Sequence, residues 1–235
     1  MKRNFVQDLV FKYRLYGPKY FVIFSLIEIK RIILRTLKIS YSQYGEDRWI
    51  ANNIGKDKIK GYVDIGANEA IKFNNTYLFY INGARGVVIE PIKDLYEEIK
   101  KCRPKDTCLN IGLGDKRCTK NFYRLDPHVK STFSKKEADK AIKSGCKLVD
   151  VQKIEIKTLQ DVFGKYIKKN KVDLISIDAE GYDYEILKGL DWKKYRAKVI
   201  IIEDRSKEID SFLDNNGYKL AYRNELNSIY LDYSK

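Results

Sequence analysis

Little in this sequence interrupts or cross-links a chain. Four prolines and 14 glycines in 235 residues are too few for a disordered chain. The four cysteines, Cys102, Cys108, Cys118 and Cys146, show no C-x-x-C spacing. They read as reduced thiols rather than a disulfide frame or a zinc site. The one histidine, His128, reads as a surface or packing residue. A membrane-spanning helix is also missing. Such a helix needs about 20 apolar residues, and the run at 20–27 is cut short by Glu28, Lys30 and Arg31. No small-residue cleavage site follows the basic N-terminus, so a signal peptide is not expected. These absences lead to an expected cytoplasmic location. Acid is scarce relative to base: the formal net charge is +14. That excess brings nucleic acid, phosphorylated substrates and an acidic membrane face into consideration as partners. A hydrophobic share of 44% is ordinary for a globular protein, and the length suits one α/β domain.

The stretch from Gly61 to Ala70 organises the rest. Tyr62, Val63 and Ile65 form a short apolar run of β-formers, which predicts a buried strand. Gly66 follows at once and permits a tight turn. From Asn74 to Gly83 the chain is apolar enough for a helix that stops at Gly83. Gly86 to Glu90 predicts a second buried strand ending in an acid, followed by Pro91. Strand, glycine turn, helix and strand make a nucleotide-binding unit. The glycine pattern is not that of a dinucleotide fold, because only Gly66 of the G-x-G-x-x-G set is present. A carboxylate at Glu90 can accept both hydroxyls of a ribose. The order Asp64, Ile65, Gly66 suits a ligand with a cationic, amino-acid-like end and no pyrophosphate, such as S-adenosylmethionine.

The remaining chain continues this pattern. Ile92 to Cys102 predicts an amphipathic helix and Thr107 to Asn110 a third strand. Residues 111–115 (IGLGD) read as a glycine-rich turn that places Asn110 and Gly112 to meet an adenine, although a plain turn explains the glycines equally well. Asn121 to Leu125 predicts an extra strand. Ser134 with Glu137 is spaced as a capping box, and the lysines and acids of 135–147 read as a solvated face. Val149 to Lys157 alternates as a strand with one wet face, assigned here to the second half of the main sheet. Thr158 with Asp161 reads as a helix cap and first-turn acid. Val172 to Asp178 is a buried strand, with Asp178 and Glu180 at its end, Gly181 in the turn and a helix over 183–188. Uncompensated burial of two acids is costly, so a site is the better reading. Val199 to Ile202 is another buried strand ending in Glu203 and Asp204. Residues 218–222 and 227–231 predict a closing antiparallel hairpin. Before the first strand, 41–50 reads as a helix start with Gly45 in the turn. The alternative there is that Gln43 and Glu46 reach over the methionine end of the cofactor.

The chain resembles the FkbM family of S-adenosylmethionine-dependent methyltransferases from about Ser42 to its C-terminus. The motifs that carry the resemblance are SQYGED (42–47), VDIGAN (63–68), FNNTYLFY (73–80), GVVIEP (86–91), NIGLGD (110–115), STF (131–133), LISIDAEGYDYEILKGLDW (174–192) and LNSIY (226–230). The resemblance implies a class I, Rossmann-like fold: a seven-stranded, mostly parallel sheet with a C-terminal antiparallel hairpin. It implies methyl transfer to a hydroxyl, commonly on a sugar of a glycan or natural product. On this reading Gln43, Glu46, Asp64, Gly66, Ala67, Asn68, Glu90, Pro91, Asn110 and Gly112 bind the cofactor. Ala70 and Ile71 depart from the family, many members of which have a glycine there.

Asp178 is the expected base, since a sugar hydroxyl is too weakly acidic to ionise unaided. Glu180 is expected to position the acceptor or the amino group of the cofactor. Glu203 and Asp204 could combine with Asp178 to hold Mg²⁺, an ion that takes hard oxygen ligands. Two other classes stand beside this reading. A nucleic-acid methyltransferase would suit the charge, but no N-P-P-Y-like motif follows Ile177, and no nucleic-acid partner is expected. A non-catalytic scaffold on the same fold is opposed by the complete acid set Asp64, Glu90, Asp178 and Glu180. Residues 1–40 form a separate unit outside the resemblance. Nine basic residues there face two acids, a net +7. The spacing predicts a basic amphipathic helix, which either lies on an anionic membrane surface or packs on the 41–235 domain or a partner subunit.

Overall fold

The computed structural model describes residues 40–167 and 172–234, together with Leu26, Ile29 and Ile33. The expected helix over 1–40 lies otherwise outside the described residues. Seven strands form the main sheet: β1 (Gly61–Ile65), β2 (Arg85–Ile89), β3 (Thr107–Leu109), β7 (Leu174–Ile177), β8 (Val199–Ile202), β9 (Tyr218–Arg223) and β10 (Ser228–Asp232). Their order is β3-β2-β1-β7-β8-β10-β9. The first five pair in parallel, while β10 runs antiparallel to both β8 and β9. Strands β1, β7 and β8 are buried at every residue. This is why they read as continuous Val/Ile runs rather than alternating ones. One face packs Val63, Ile175, Ile200 and Ile202 against Phe163, Ile186, Trp192 and Tyr218. The other packs Tyr62, Leu174, Val199 and Ile201 against Ile50, Phe79 and Ile99.

A second sheet of three strands, β4 (Gly112–Gly114), β5 (Cys118–Asp126) and β6 (Lys147–Thr158), has the order β4-β6-β5. Two expectations are corrected here. The strand over 149–157 does not belong to the main sheet, because alternation shows one wet face without showing which sheet owns the strand. The glycine-rich stretch 111–115 is not only a turn: Gly112–Gly114 pairs in parallel with Ile156–Thr158. A side chain at Gly112 would overlap Phe133 and Ile156, with a Cβ 2.4 and 2.5 Å from their nearest carbons.

Between residues 40 and 234 the α-helices are α1 (Glu46–Ile50), α2 (Tyr77–Ile81), α3 (Lys93–Cys102), α4 (Lys135–Lys143), α5 (Leu159–Tyr166), α6 (Asp183–Lys188) and α7 (Lys207–Asn215). Helix α2 is shorter than the predicted 74–83. Asn74 Oδ1 accepts the backbone N–H groups of Thr76 and Tyr77 at 3.0 and 2.8 Å, a side-chain turn that delays the helix start. Thr158 and Asp161 form a full capping box at α5. Ser134 caps α4 by accepting from Glu137 N–H. Among the described residues no helix is long and apolar enough to cross a membrane.

Candidate active site

The strand order reverses between β1 and β7: β2 and β3 extend the sheet one way, β8 the other. In open α/β sheets the crevice beyond the carboxyl ends of the strands at such a switch point is where ligands bind. The loops that meet there carry most of the predicted site residues. After β1 the chain turns at Gly66, with φ +71°. A Cβ at Gly66 would lie 1.8 Å from the Asp178 carbonyl oxygen, so only glycine lets the β1 and β7 loops approach this closely. The N–H groups of Gly66 and Ala67 both donate to Ile89 O. Asn68 follows in the left-handed region at φ 55°.

Glu90 lies at the end of β2, 4% exposed. Its Oε2 accepts Asn68 N–H at 2.9 Å and its Oε1 accepts Ile92 N–H at 2.7 Å. Each oxygen keeps a further lone pair. Burial pushes the Glu90 carboxyl up to about 7, against the lowering effect of those two amides. Asn110 Nδ2 donates to Glu90 O and Pro91 O at 2.8 and 2.9 Å, which brings Asn110 and Pro91 to the same corner. Gly112 lies two residues on, buried beneath Phe133 and Ile156.

Asp64 faces a buried polar network. Its Oδ2 accepts from Thr76 Oγ1 at 2.6 Å and Asn74 Nδ2 at 3.1 Å, and Arg103 Nη1 lies 3.4 Å away. Arg103 is fully buried and also binds Asp106 at 2.8 Å and Tyr62 Oη at 2.9 Å. Burial raises the Asp64 carboxyl, with Arg103 working against it. Nothing in the residue pattern singled out Arg103, which follows directly on the amphipathic helix read as ending at Cys102.

In the SQYGED segment, Gln43 is half-buried. Glu46 Oε1 accepts from Asn224 and Asn227 at 2.8 and 2.7 Å, and its Oε2 from Tyr44 N–H. Ser228 pairs with Ile202, so this clasp sits at the carboxyl end of β8. Asp47 takes Ser40, Tyr41 and Ser42. The motif thus ties the segment preceding β1 to the β9–β10 turn.

At the end of β7 and β8, Asp178, Glu180 and Glu203 each place a carboxylate oxygen within 4.8 Å of the others. Burial, then the neighbouring charge of Glu203, raises Asp178 well above the ordinary carboxylate range, and a hydrogen bond to Glu203 adds to the rise. Burial, then Glu203, brings Glu180 up to about 7, while Lys130 opposes the shift. Asp183 is also pushed up to about 7 by burial and Glu203; it accepts the N–H groups of Ala179 and Gly181. Asp204, expected beside Asp178 and Glu203, is not in the trio; it accepts Ser206 N–H at 2.7 Å. Glu180 takes its place.

The segment between β5 and α4 adds two residues. Lys130 Nζ lies 3.0 and 2.9 Å from the two Glu180 oxygens. His128 Nε2 is 2.9 Å from Asn68 Oδ1. His128, read from sequence as a surface or packing residue, is exposed and also touches the β1 loop.

A mostly parallel seven-stranded sheet with reversed strand order and an antiparallel terminal hairpin defines the class I methyltransferase fold. Residues 64–220 match the family model described as "Methyltransferase FkbM domain", and the chain belongs to that family. Solved structures similar to it include an FkbM methyltransferase from Methylobacillus flagellatus KT, at 14% identity and a TM-score of 0.46 over 74% of this chain and 44% of that one. A putative caffeoyl-CoA O-methyltransferase from Staphylococcus aureus aligns at 10% identity and 0.47, over 91% and 98%. Magnesium protoporphyrin IX methyltransferase from Synechocystis PCC 6803, solved with bound S-adenosylmethionine, aligns at 8% and 0.44, over 99% and 86%. The chain spans less than half of the Methylobacillus protein. No curated protein matches it. The structural likenesses carry nothing about substrate; the family match carries the assignment.

The residues fit the cofactor of that family. A carboxylate with free lone pairs sits at the β2 end for a diol. The acids at the β7 and β8 ends suit a cationic sulfur. The Gly66 turn brings those two regions together at the switch point.

Proposed function

We propose that the chain transfers a methyl group from S-adenosylmethionine to a hydroxyl, on a sugar of a glycan or polysaccharide. When bound, the cofactor supplies an electrophilic methyl on a positively charged sulfur. The chain's own task is to orient the acceptor and take up the hydroxyl proton. Asp178 is assigned that proton. The single observation behind this is its position: it ends β7 at the switch point, its carbonyl pressed against Gly66, and burial with Glu203 raises its proton affinity. A raised pKa makes a carboxylate a stronger base once ionised. As the new O–C bond forms and the methyl–sulfur bond breaks, the hydroxyl proton passes to Asp178. Glu180, held by Lys130, orients the acceptor.

The test is single-turnover methylation with labelled cofactor and a cell-envelope extract, asking which fraction takes the label. Asp178→Asn keeps the shape and should lower turnover about 10²- to 10⁴-fold, far more than it weakens cofactor binding. Glu180→Gln should act mainly on acceptor or cofactor KM rather than on turnover. Near wild-type transfer by Asp178→Asn would remove the assignment. A chelator control separates proton transfer from Mg²⁺-assisted activation, since the three carboxylates are close enough to share a cation.

We also infer that residues 1–40 contact an anionic membrane surface. Leu26, Ile29 and Ile33 are helical and 62%, 53% and 53% exposed, at helical spacing in a segment of net charge +7. An apolar stripe within a basic segment suits such a surface.

A further inference from the structure

Among the described residues, three non-glycine residues have positive φ: Asn68 at 55°, Phe73 at 55° and Glu180 at 48°. Such conformations are costly and persist only where surrounding contacts over-determine them. Two of the three, Asn68 and Glu180, flank the switch-point crevice, and one short segment holds both. It is the strap of residues 127–134 joining β5 to α4. His128 reaches Asn68 on the β1 side. Lys130 and Thr132 reach Glu180 on the β7 side, Lys130 through the carboxylate and Thr132 Oγ1 through the backbone carbonyl at 2.9 Å.

The strap is itself fixed. Tyr123 and Thr132 exchange backbone hydrogen bonds at 2.9 and 3.1 Å, and Leu125 N–H donates to Ser131 Oγ at 3.0 Å. Phe133 packs on Phe122 and Tyr182, with ring centroids 4.6 and 5.9 Å apart. A segment anchored in this way can set the positions of the loops it touches.

We propose that this strap is the positioning element of the cofactor site. His128 seats the Asn68 turn that the cofactor meets, and Lys130 sets the orientation and net charge of the Glu180 wall facing the cationic sulfur. The proposal rests on the cofactor lying at the β1–β7 crevice. Its logic is geometric. Asn68 N–H is already tied to Glu90, so His128 fixes the side chain of a residue whose backbone orients the acid expected to meet the ribose. Lys130 supplies the positive charge that pairs with Glu180 within a group otherwise made of carboxylates. Removing it leaves that wall more negative, which favours a sulfonium over a neutral thioether.

The experiment is calorimetric binding of S-adenosylmethionine and of its neutral product, S-adenosylhomocysteine, to the full-length protein. His128→Ala should weaken binding of both ligands about 3- to 10-fold, while His128→Gln, which keeps a donor at a similar reach, should recover most of the loss. Lys130→Ala should raise the preference for the cationic ligand over the neutral one about 3- to 10-fold, and Lys130→Arg should restore it. A purely structural lysine would shift both ligands alike. If Lys130→Ala is too unstable to measure, Lys130→Gln, which keeps a donor towards Glu180 without the charge, should raise the preference for the cationic ligand by the same factor.

Glu90→Ala is the control for the site itself. Should Glu90→Ala weaken binding while His128→Ala stays within twofold of wild type, the His128 role is overturned and the site stands. An unchanged ligand preference in Lys130→Ala likewise overturns the role of Lys130. Absence of any binding by the wild-type protein would overturn the crevice assignment and the strap with it.

Discussion

Glu90 offers the most direct test of where the cofactor sits, because its protonation and its task are linked. The carboxylate is almost fully buried, and both oxygens are held by backbone N–H groups, from Asn68 and Ile92. It is therefore pre-oriented, and a diol arriving at its remaining lone pairs would meet a fixed acceptor. Hydrogen bonds to a charged acceptor are worth about 1.5–3 kcal/mol, so Glu90→Ala should raise the Kd for S-adenosylmethionine by about 10- to 150-fold. Burial places the group at about 7, so the affinity should depend on pH. The sign follows from which form the ligand prefers. Hydroxyl donors favour the ionised carboxylate, so binding tightens as pH rises through 7 and weakens below it. At a pKa of about 7 the ionised fraction falls from about nine-tenths at pH 8 to about one-tenth at pH 6, an affinity loss of about tenfold. Asp178 and Glu180 also titrate upward of their usual range and add a slope of the same sign, since protonation removes attraction for the sulfonium. Glu90→Gln isolates the Glu90 share, because it cannot ionise. Calorimetry of both proteins between pH 6 and 8 checks this: the variant should bind more weakly and show a shallower slope. Equal slopes would detach the pH dependence from Glu90, and unchanged affinity in Glu90→Ala would place the ribose elsewhere.

Arg103 should matter for stability alone: it is fully buried and touches Asp64, Asp106, Tyr62, Asn74 and Thr76. Breaking a buried ion pair from one side costs about 3–5 kcal/mol, so Arg103→Met should lose about that in urea unfolding; a loss below about 1 kcal/mol would refute the network's importance. At the N-terminus, deleting residues 1–38 should leave cofactor affinity unchanged and reduce sedimentation with anionic liposomes. If the full-length protein ignores such liposomes, the segment packs against protein instead.

The centre of the main sheet was legible because β1, β7 and β8 are buried throughout and read as short apolar runs, each followed by an acid or a glycine. The residues at its carboxyl edge followed from that, since chain order places Gly66, Glu90, Asp178 and Glu203 at strand ends. Helix α7 was missed although its signals are present: Ser206 caps it by accepting from Ile209 N–H, and Ile209, Phe212 and Leu213 sit at helical spacing. The partition of strands between two sheets could not be read from alternation. The strap was illegible for a different reason. Its contacts join residues 50 and 60 positions apart, and neither a lone histidine nor a lysine among many carries a spacing that announces such a partner. The members of the cluster at Asp178 were legible, since Asp178, Glu180 and Glu203 all follow strand ends, but the cation trio was expected with Asp204 in place of Glu180, because strand-end acids do not reveal which way each side chain turns.

The charge distribution bears on the acceptor. The chain carries +14 overall, and residues 1–40 hold +7 of it. The crevice has the opposite character, with Asp178, Glu180, Asp183, Glu203 and Asp204 at two adjacent strand ends and Lys130 paired with Glu180. The upward shifts of Asp178, Glu180 and Asp183 share one electrostatic cause after burial, the charge of Glu203, which marks negative charge in excess. A cationic cofactor relieves that repulsion, whereas a phosphate brought to the same edge adds to it. Two like charges about 6 Å apart at an effective dielectric near 20 repel by about 2–3 kcal/mol, and a nucleic acid would present several phosphates. The neutral polyol proposed as acceptor would add no such repulsion, because its hydroxyls can donate to carboxylates.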